Sequence, residues 1–177
     1  MIRGAWQQLG AVHYNGFVTH LPGHALRCAT LRIWGAKIGP GVAVQRGTTV
    51  LGIHALEIGA RSKIGWRCLL DARGGLVIGS DVEVSDDVQF ITAHHDPKSN
   101  TFAAESGPIE VADHVWIASR ATILESVSIG RGAVVAAESL VRRDIPALTI
   151  VAGIPAKTTG ERHSSLAYSL HPREAFA

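Results

Sequence analysis

His94, His95 and Asp96 stand side by side in the segment Ile91-Thr92-Ala93-His94-His95-Asp96-Pro97. Imidazole titrates near neutral pH and a carboxylate can orient its ring, so this cluster suits general-base chemistry. The two histidines are not equivalent, because one is expected to face a cleft and the other to turn away. A solvated pair on a loop is the ordinary alternative, and the place where the segment leaves the fold decides between them. Metal binding is the competing use, with His54 and His114 as further candidates among the nine histidines. Cys28 and Cys68 form neither a metal-spaced pair nor a disulfide framework, and both are expected to be reduced and packed.

The elements that must carry this loop are legible as a period. Val111, Ile117, Ile123, Ile129, Val135 and Val141 recur at a spacing of six. The residue four after each of the first five is small or valine: Val115, Ala121, Val127, Ala133 and Ser139. Six residues turn a 3.6-residue helix to its opposite face, so the pattern is not helical. A fixed short period of this kind marks a β-helix, in which each hexad forms one flat side of a triangular coil. Traced backwards, the repeat runs Ile38, Val44, Val50, then Ile58, Ile64, Leu70, then Ile78, Val84, Phe90.

Three hexads per turn predict three columns. Val50, Leu70, Phe90, Ile123 and Val141 form one; Ile38, Ile58, Ile78, Val111 and Ile129 a second; Val44, Ile64, Val84, Ile117 and Val135 the third. The insertions after Val50 and Leu70 and the excursion over residues 91–110 then all leave from one corner. Insertions in solenoids gather on one face, often the binding face, which favours chemistry over solvation for the histidines. Asp71 sits at the same corner, either as a polar contact to an acceptor or as a turn residue ahead of Arg73-Gly74-Gly75.

At 177 residues the chain fits one domain, and 46% hydrophobic against 18% charged residues excludes disorder. Only 6% of residues are aromatic, which suits thin coils. A formal net charge of +2 without a long basic run gives no footprint for nucleic acid. Residues 1–35 lie outside the repeat and are expected to form a helical cap. There Pro22 starts a helix with Leu26, Thr30, Ile33 and Trp34 on its apolar face, Arg27 and Arg32 off that face, and Gly35 at its end. Capping the solenoid is the ordinary use of such a segment; peripheral contact with a membrane is the other. Residues 36–157 form the β-helix, whose pattern stops at Asp144-Ile145-Pro146. Residues 158–177 form a tail, with Leu166, Tyr168, Leu170 and Phe176 available to pack on the coils. With no signal-peptide pattern and no membrane-length apolar run, a cytoplasmic protein is expected.

Five segments carry a resemblance: Leu69 to Gly75, Thr92 to Pro97, Val115 to Ser119, Gly132 to Ala137 and Val151 to Lys157. On these the chain resembles the hexapeptide-repeat acyltransferases, in particular the maltose/galactoside O-acetyltransferase-like branch and its surface-polysaccharide relatives. The resemblance implies an all-β, left-handed parallel β-helix, a homotrimer with active sites between subunits, and acetyl-CoA as co-substrate. Its Thr-x-x-His pattern matches Thr92 to His95, which makes His95 the catalytic base, followed by Asp96, with His94 in reserve. A backbone amide near Ser119 is where relatives stabilise the oxyanion. Trp116, Ser119, Ala137 and the segment from Gly153 to Lys157 match positions along the pantetheine arm. Arg142 and Arg143 stand where relatives carry Thr-Lys, and their forks suit CoA phosphate.

Three departures fall on the acceptor side. Glu125-Ser126 replaces the common Pro-Gly turn, Trp66-Arg67 lies where relatives have a polar Asn, and the N-terminal helical segment with its acidic residue is missing. Asp71, Trp66, Arg67 and Glu125 are therefore the acceptor-side candidates. The leading expectation is acetyl transfer to a sugar or glycan-precursor hydroxyl, with an amine acceptor as the enzymatic rival. A gamma-carbonic-anhydrase-like zinc site is the next alternative, but no two histidines show that family's spacing of five, and no metal is expected. A non-catalytic scaffold would have no use for the loop and the CoA-side segments together.

Overall fold

β-Branched residues at every sixth position fit a pleated surface buried on one side, and they stack into three parallel sheets. The computed structural model describes residues 2–170, with side-chain environments from Trp6 onward; Phe176 falls outside them. The first sheet stacks Lys37–Ile38, Leu56–Ile58, Leu76–Ile78, Ile109–Val111 and Val127–Ile129. The second stacks Ala43–Val44, Lys63–Ile64, Glu83–Val84, Trp116–Ile117, Val134–Val135 and Thr149–Ala152. The third stacks Thr49–Leu51, Leu69–Asp71, Gln89–Ile91, Thr122–Leu124 and Leu140–Val141. Together they form a solenoid of about six turns.

The columns expected from the period appear partner by partner. Val50 faces Leu70, Leu70 faces Phe90, Phe90 faces Ile123, and Ile123 faces Val141. The other two columns register likewise, from Ile38 to Ile129 and from Val44 to Val135. The repeat also outlasts the expected stop at Asp144-Ile145-Pro146. Ile145 bridges Ile129 and Val151 pairs with Val135, because Pro146 follows the inward position rather than occupying it. Only then does Lys157–Glu161 fold back antiparallel on Thr149–Ala152.

The corners differ in construction. Between the second and third sheets each turn passes through a left-handed residue: Gly47, Arg67, Asp87, Arg120 and Glu138. L-residues resist this conformation, yet here their side chains form a ladder of alternating charge. Arg67 grips Asp87 with both Nε and Nη2 at 2.8 Å, and Arg120 meets Glu138 at 2.8 Å. Between the first and second sheets Arg61 grips buried Asp81, which also accepts from the Leu170 amide at 2.9 Å. That bond, buried Leu166 and the Arg162 guanidinium on the carbonyls of His114 and Gly132 strap the tail along this corner. The third corner carries every insertion.

Two helices close the first turn, where the sequence suggested one. Helix α1 spans Ile2–Gly16 and α2 spans His24–Ile33, with Gly35 ending the latter at φ +100°. Gly4, Gly10 and Gly16 lower the intrinsic helicity of α1, and tertiary contacts override it. Gly10 lies so close to the Trp34 ring that an added Cβ would sit 2.7 Å from it. The Asn15 amide both donates to the Val50 carbonyl and accepts from its N–H at 2.8 Å, and Thr19 Oγ1 donates to Thr48 O.

The expected orientation of α2 holds for Thr30, Trp34 and Arg32 but fails for Arg27, Leu26 and Ile33. Arg27 is fully buried with Cys28, Thr30 and Leu31, while Leu26 and Ile33 face outward. Arg27 turns inward because carbonyls of the first coil and of the cap lie there to satisfy: Nε donates to Val44 O at 2.6 Å and Nη1 to Leu21 O. Burial lowers the pKa of this guanidinium and raises that of the adjoining Tyr14 hydroxyl.

Candidate active site

The excursion at the third corner is a β-hairpin, Ala93–His95 against Ala104–Ser106, with His94 opposite Glu105 and His95 opposite Ala104. Its neck is fixed by buried groups. Thr92 is fully buried; its N–H donates to Asp71 Oδ2 at 3.2 Å, its hydroxyl accepts from Gly74 N at 2.9 Å, and its carbonyl accepts from Gly107 N at 3.0 Å. Only glycine fits at residue 74, where a Cβ would lie 2.7 Å from the Gly107 carbonyl oxygen. Asp71 is also buried and accepts from Arg73 Nε, Nη2 and backbone N–H. Burial pushes its carboxyl pKa up, but the Arg73 hydrogen bonds and charge outweigh this and hold it below the usual carboxylate range. The Asp71 oxygens are thus committed to the turn and the hairpin neck, in line with the turn alternative.

His95 Nδ1 lies 2.9 Å from the Phe102 carbonyl oxygen, and its ring stacks flat on that of Phe102 at 4.4 Å between centroids. A carbonyl can only accept, so Nδ1 carries the proton and Nε2 keeps its lone pair when the ring is neutral. Phe102 holds this position from a left-handed backbone, φ +48°, its N–H donating to Ser99 O. Asp96 does not orient the ring as a carboxylate neighbour would. Its Oδ1 accepts from Lys98 N at 2.8 Å and shapes the hairpin turn.

His94 turns the other way, as alternation along a strand requires. Its Nδ1 lies 3.2 Å from Glu125 Oε1, and its Nε2 lies 3.8 Å from Glu105 Oε2. Glu125 is presented by a tight turn in which Ser126 is left-handed, φ +59°. Among the residues absent from the sequence-based set are Phe102, Glu105 and Thr92. Thr92 was visible in the Thr-x-x-His pattern; Phe102 and Glu105 carried no period or motif to find them by.

The remaining candidates lie elsewhere. Trp66 and Ser119 lie two turns apart at the corner between the second and third sheets and line one cleft of about 340 Å³ with Gln45, Lys63, Glu83 and Asp86. Arg46 stacks over the Trp66 ring at 4.8 Å, and Arg67 beside it is committed to Asp87. The Ser119 N–H donates to no group among the described residues. Trp116 projects from the second sheet, half exposed, its Nε1 donating to Ser85 Oγ at 3.4 Å. Ala137 lies one turn on, where Glu138 N donates to Ser119 O. Arg142, Arg143 and Lys157 line a cleft of about 490 Å³ at the last turn. Gly153, left-handed at φ +101°, donates there to Ser139 Oγ at 3.2 Å.

A single chain therefore groups His94, His95, Asp96, Asp71 and Glu125 at one corner. It holds Trp66, Arg67, Trp116, Ser119 and Ala137 at or beside another, and Arg142, Arg143, Gly153 and Lys157 at the far end. Neither cysteine takes part. Both are free and buried, and burial raises the Cys68 thiol to about 12 and the Cys28 thiol above its usual value.

No family model matches the chain. It is 31% identical over 136 residues to a protein of Escherichia coli K12 provisionally named as the colanic acid biosynthesis acetyltransferase WcaF, covering 77% of this chain and 75% of that one. A hexapeptide-repeat-containing acetyltransferase of Vibrio cholerae, solved with acetyl coenzyme A, superposes with a TM-score of 0.80 at 26% identity, covering 92% of this chain and 88% of that one. A galactoside acetyltransferase solved with coenzyme A shares the fold, with a TM-score of 0.79 at 22% identity over 91% of this chain and 81% of that one. The parallel coil, the single irregular corner and these likenesses agree: the chain is a left-handed parallel β-helix and belongs to the hexapeptide-repeat acetyltransferases.

Proposed function

We propose that this protein transfers an acetyl group from acetyl-CoA to a hydroxyl of a sugar or glycan precursor, with His95 as general base. The observation that carries this reading is the bond between His95 Nδ1 and the Phe102 carbonyl, which leaves Nε2 as the proton acceptor. His95 Nε2 takes the acceptor hydroxyl proton as that oxygen attacks the thioester carbonyl. The same proton then passes to the departing CoA thiolate, so no covalent acyl-enzyme is needed. The unengaged Ser119 N–H is the oxyanion donor, a contribution of about 3 kcal/mol for such a group. His94, set between Glu105 and Glu125, steadies the hairpin rather than moving the proton.

His95 and Ser119 stand at different corners of a single chain, so this reading requires a homotrimer in which the His95 corner of one copy packs against the Ser119 corner of the next. Arg142, Arg143 and Lys157 line the cleft suited to the phosphates of CoA. The acetyltransferase names of the relatives support the donor, and the colanic acid biosynthesis name of the Escherichia coli relative supports a glycan acceptor.

The test is release of free CoA from acetyl-CoA across a panel of sugars, amines and lipid-linked glycans. Turnover with hydroxyl acceptors, lost in His95→Ala and retained in His94→Ala, is the expected result. Turnover restricted to amines overturns the acceptor, loss in His94→Ala alone overturns the base, and no turnover on any acceptor overturns the reading.

A further inference from the structure

Phe102 is the sole large hydrocarbon side chain between Ile91 and Ile109. Its backbone is left-handed at φ +48°, a conformation that glycine or asparagine takes at low cost and a bulky L-residue resists. The ring is 62% exposed, so burial does not offset that cost. A polar turn residue would serve the hairpin as well. Neither the backbone nor solvation accounts for a phenyl group at this position.

What the ring does is cover one face of His95. The two rings lie within 2° of parallel, with centroids 4.4 Å apart. His95 is exposed on the hairpin strand. The torsion that turns an imidazole has broad minima, and water competes for any single hydrogen bond that an exposed ring makes. The contact between Nδ1 and Phe102 O fixes where that nitrogen points but leaves the ring free to swivel about the bond. The stack acts across the ring plane and removes the swivel. Both contacts come from one residue, and the loop holds it in place. Phe102 N–H donates to Ser99 O at 3.1 Å, Ser99 Oγ accepts from Thr101 N and Ala103 N, and Asp96 N donates to Ala103 O at 3.0 Å.

We propose, resting on the reading of His95 as general base, that the Phe102 side chain is a positioning residue. Its ring sets the plane of the imidazole and with it the direction of the Nε2 lone pair. A misaimed base slows the chemical step without weakening the hold on the donor.

Two substitutions separate the flat face from mere bulk: Phe102→Leu removes the face and Phe102→Tyr keeps it. The full chain is assayed by CoA release from acetyl-CoA with the hydroxyl acceptor of highest turnover. The imidazole nitrogens are followed by NMR, with the His95 signals identified by their loss in His95→Ala. Phe102→Leu should lower kcat at least about 10-fold with KM for acetyl-CoA within about twofold, and Phe102→Tyr should restore most of the rate. The neutral His95 ring should carry its proton on Nδ1 in the wild type and in Phe102→Tyr, and become a mixture of tautomers in Phe102→Leu. A Phe102→Leu enzyme with wild-type kcat beside an inactive His95→Ala overturns the proposal and leaves the base standing. Phe102→Tyr as slow as Phe102→Leu, or one unchanged tautomer in all three proteins, also overturns it. A fall in oligomer mass in Phe102→Leu assigns the ring to contacts between copies and overturns it as well. Retained turnover in His95→Ala removes the base itself, and the proposal with it.

Discussion

Two corners of the solenoid repeat and the third varies. At the corner between the second and third sheets, successive turns place one left-handed residue at the same height, and Arg67, Asp87, Arg120 and Glu138 stack as alternating charges. At the third corner the same chain inserts a short 3-10 turn at Ile53–Ala55, then the Asp71–Arg73 clasp, then a hairpin. The contrast separates two tasks. Columns of Val and Ile hold the coil in register whatever happens at one edge, so that edge is free to carry polar groups that a regular turn has no room for. The proposed general base sits where the period is broken, and the unbroken part holds the coil together without it.

That division can be broken from either side. The largest loss of stability is expected in the columns. Phe90 is fully buried between Leu70 and Ile123, and Phe90→Ala should cost about 3–5 kcal/mol in denaturant unfolding. His95→Ala should do the reverse, lowering acetyl transfer at least 100-fold, about 2.7 kcal/mol of barrier, with an unchanged unfolding midpoint. A variant that loses both together would deny the separation.

Asp71 tests the joint between the two regions. Its carboxyl pKa is held below the ordinary value, so its contribution to stability is complete above about pH 4 and is lost as pH falls through the depressed folded value. Asp71→Asn should flatten that acid-side decline in thermal unfolding. It should also loosen the hairpin neck at Thr92, read as faster amide exchange over residues 92–106. Glu125→Gln, which weakens the hold on His94, should lower turnover only a few-fold. The smallest effect is expected for Arg120→Ala. Its partner Glu138 is exposed, and removing one rung of a solvated ladder should leave both midpoint and turnover within measurement error.

The columns were legible residue by residue because a period of six leaves one choice of inward position, and every pairing from Ile38 to Val141 follows from it. The loop was legible only in outline. The corner follows from the broken period and the choice of His95 over His94 from the resemblance, but the carbonyl that meets its Nδ1 belongs to Phe102, whose left-handed backbone arises from the hairpin turn and not from any local pattern. Asp71 illustrates how a polar residue at the right corner is spent on holding the loop. The capping helices misled for a different reason. Amphipathic pattern assumes that charge faces water, whereas the open first turn offers the Val44 carbonyl, to which an inward Arg27 donates.

Those same caps bear on a hazard common to every parallel coil. A stack of strands ends in two rows of unpaired amides and carbonyls, each a template on which a further chain can add without limit. At one end Asn15, Thr19, Arg27 and Arg32 occupy that row, bonding Val50, Thr48, Val44, Ile38 and Gly39. At the other, Lys157–Glu161 runs antiparallel and spoils the register that a newcomer would need. The helices are thus the stop that keeps a self-complementary architecture from growing into fibres, and a chain shorn of them would be a seed for polymerisation.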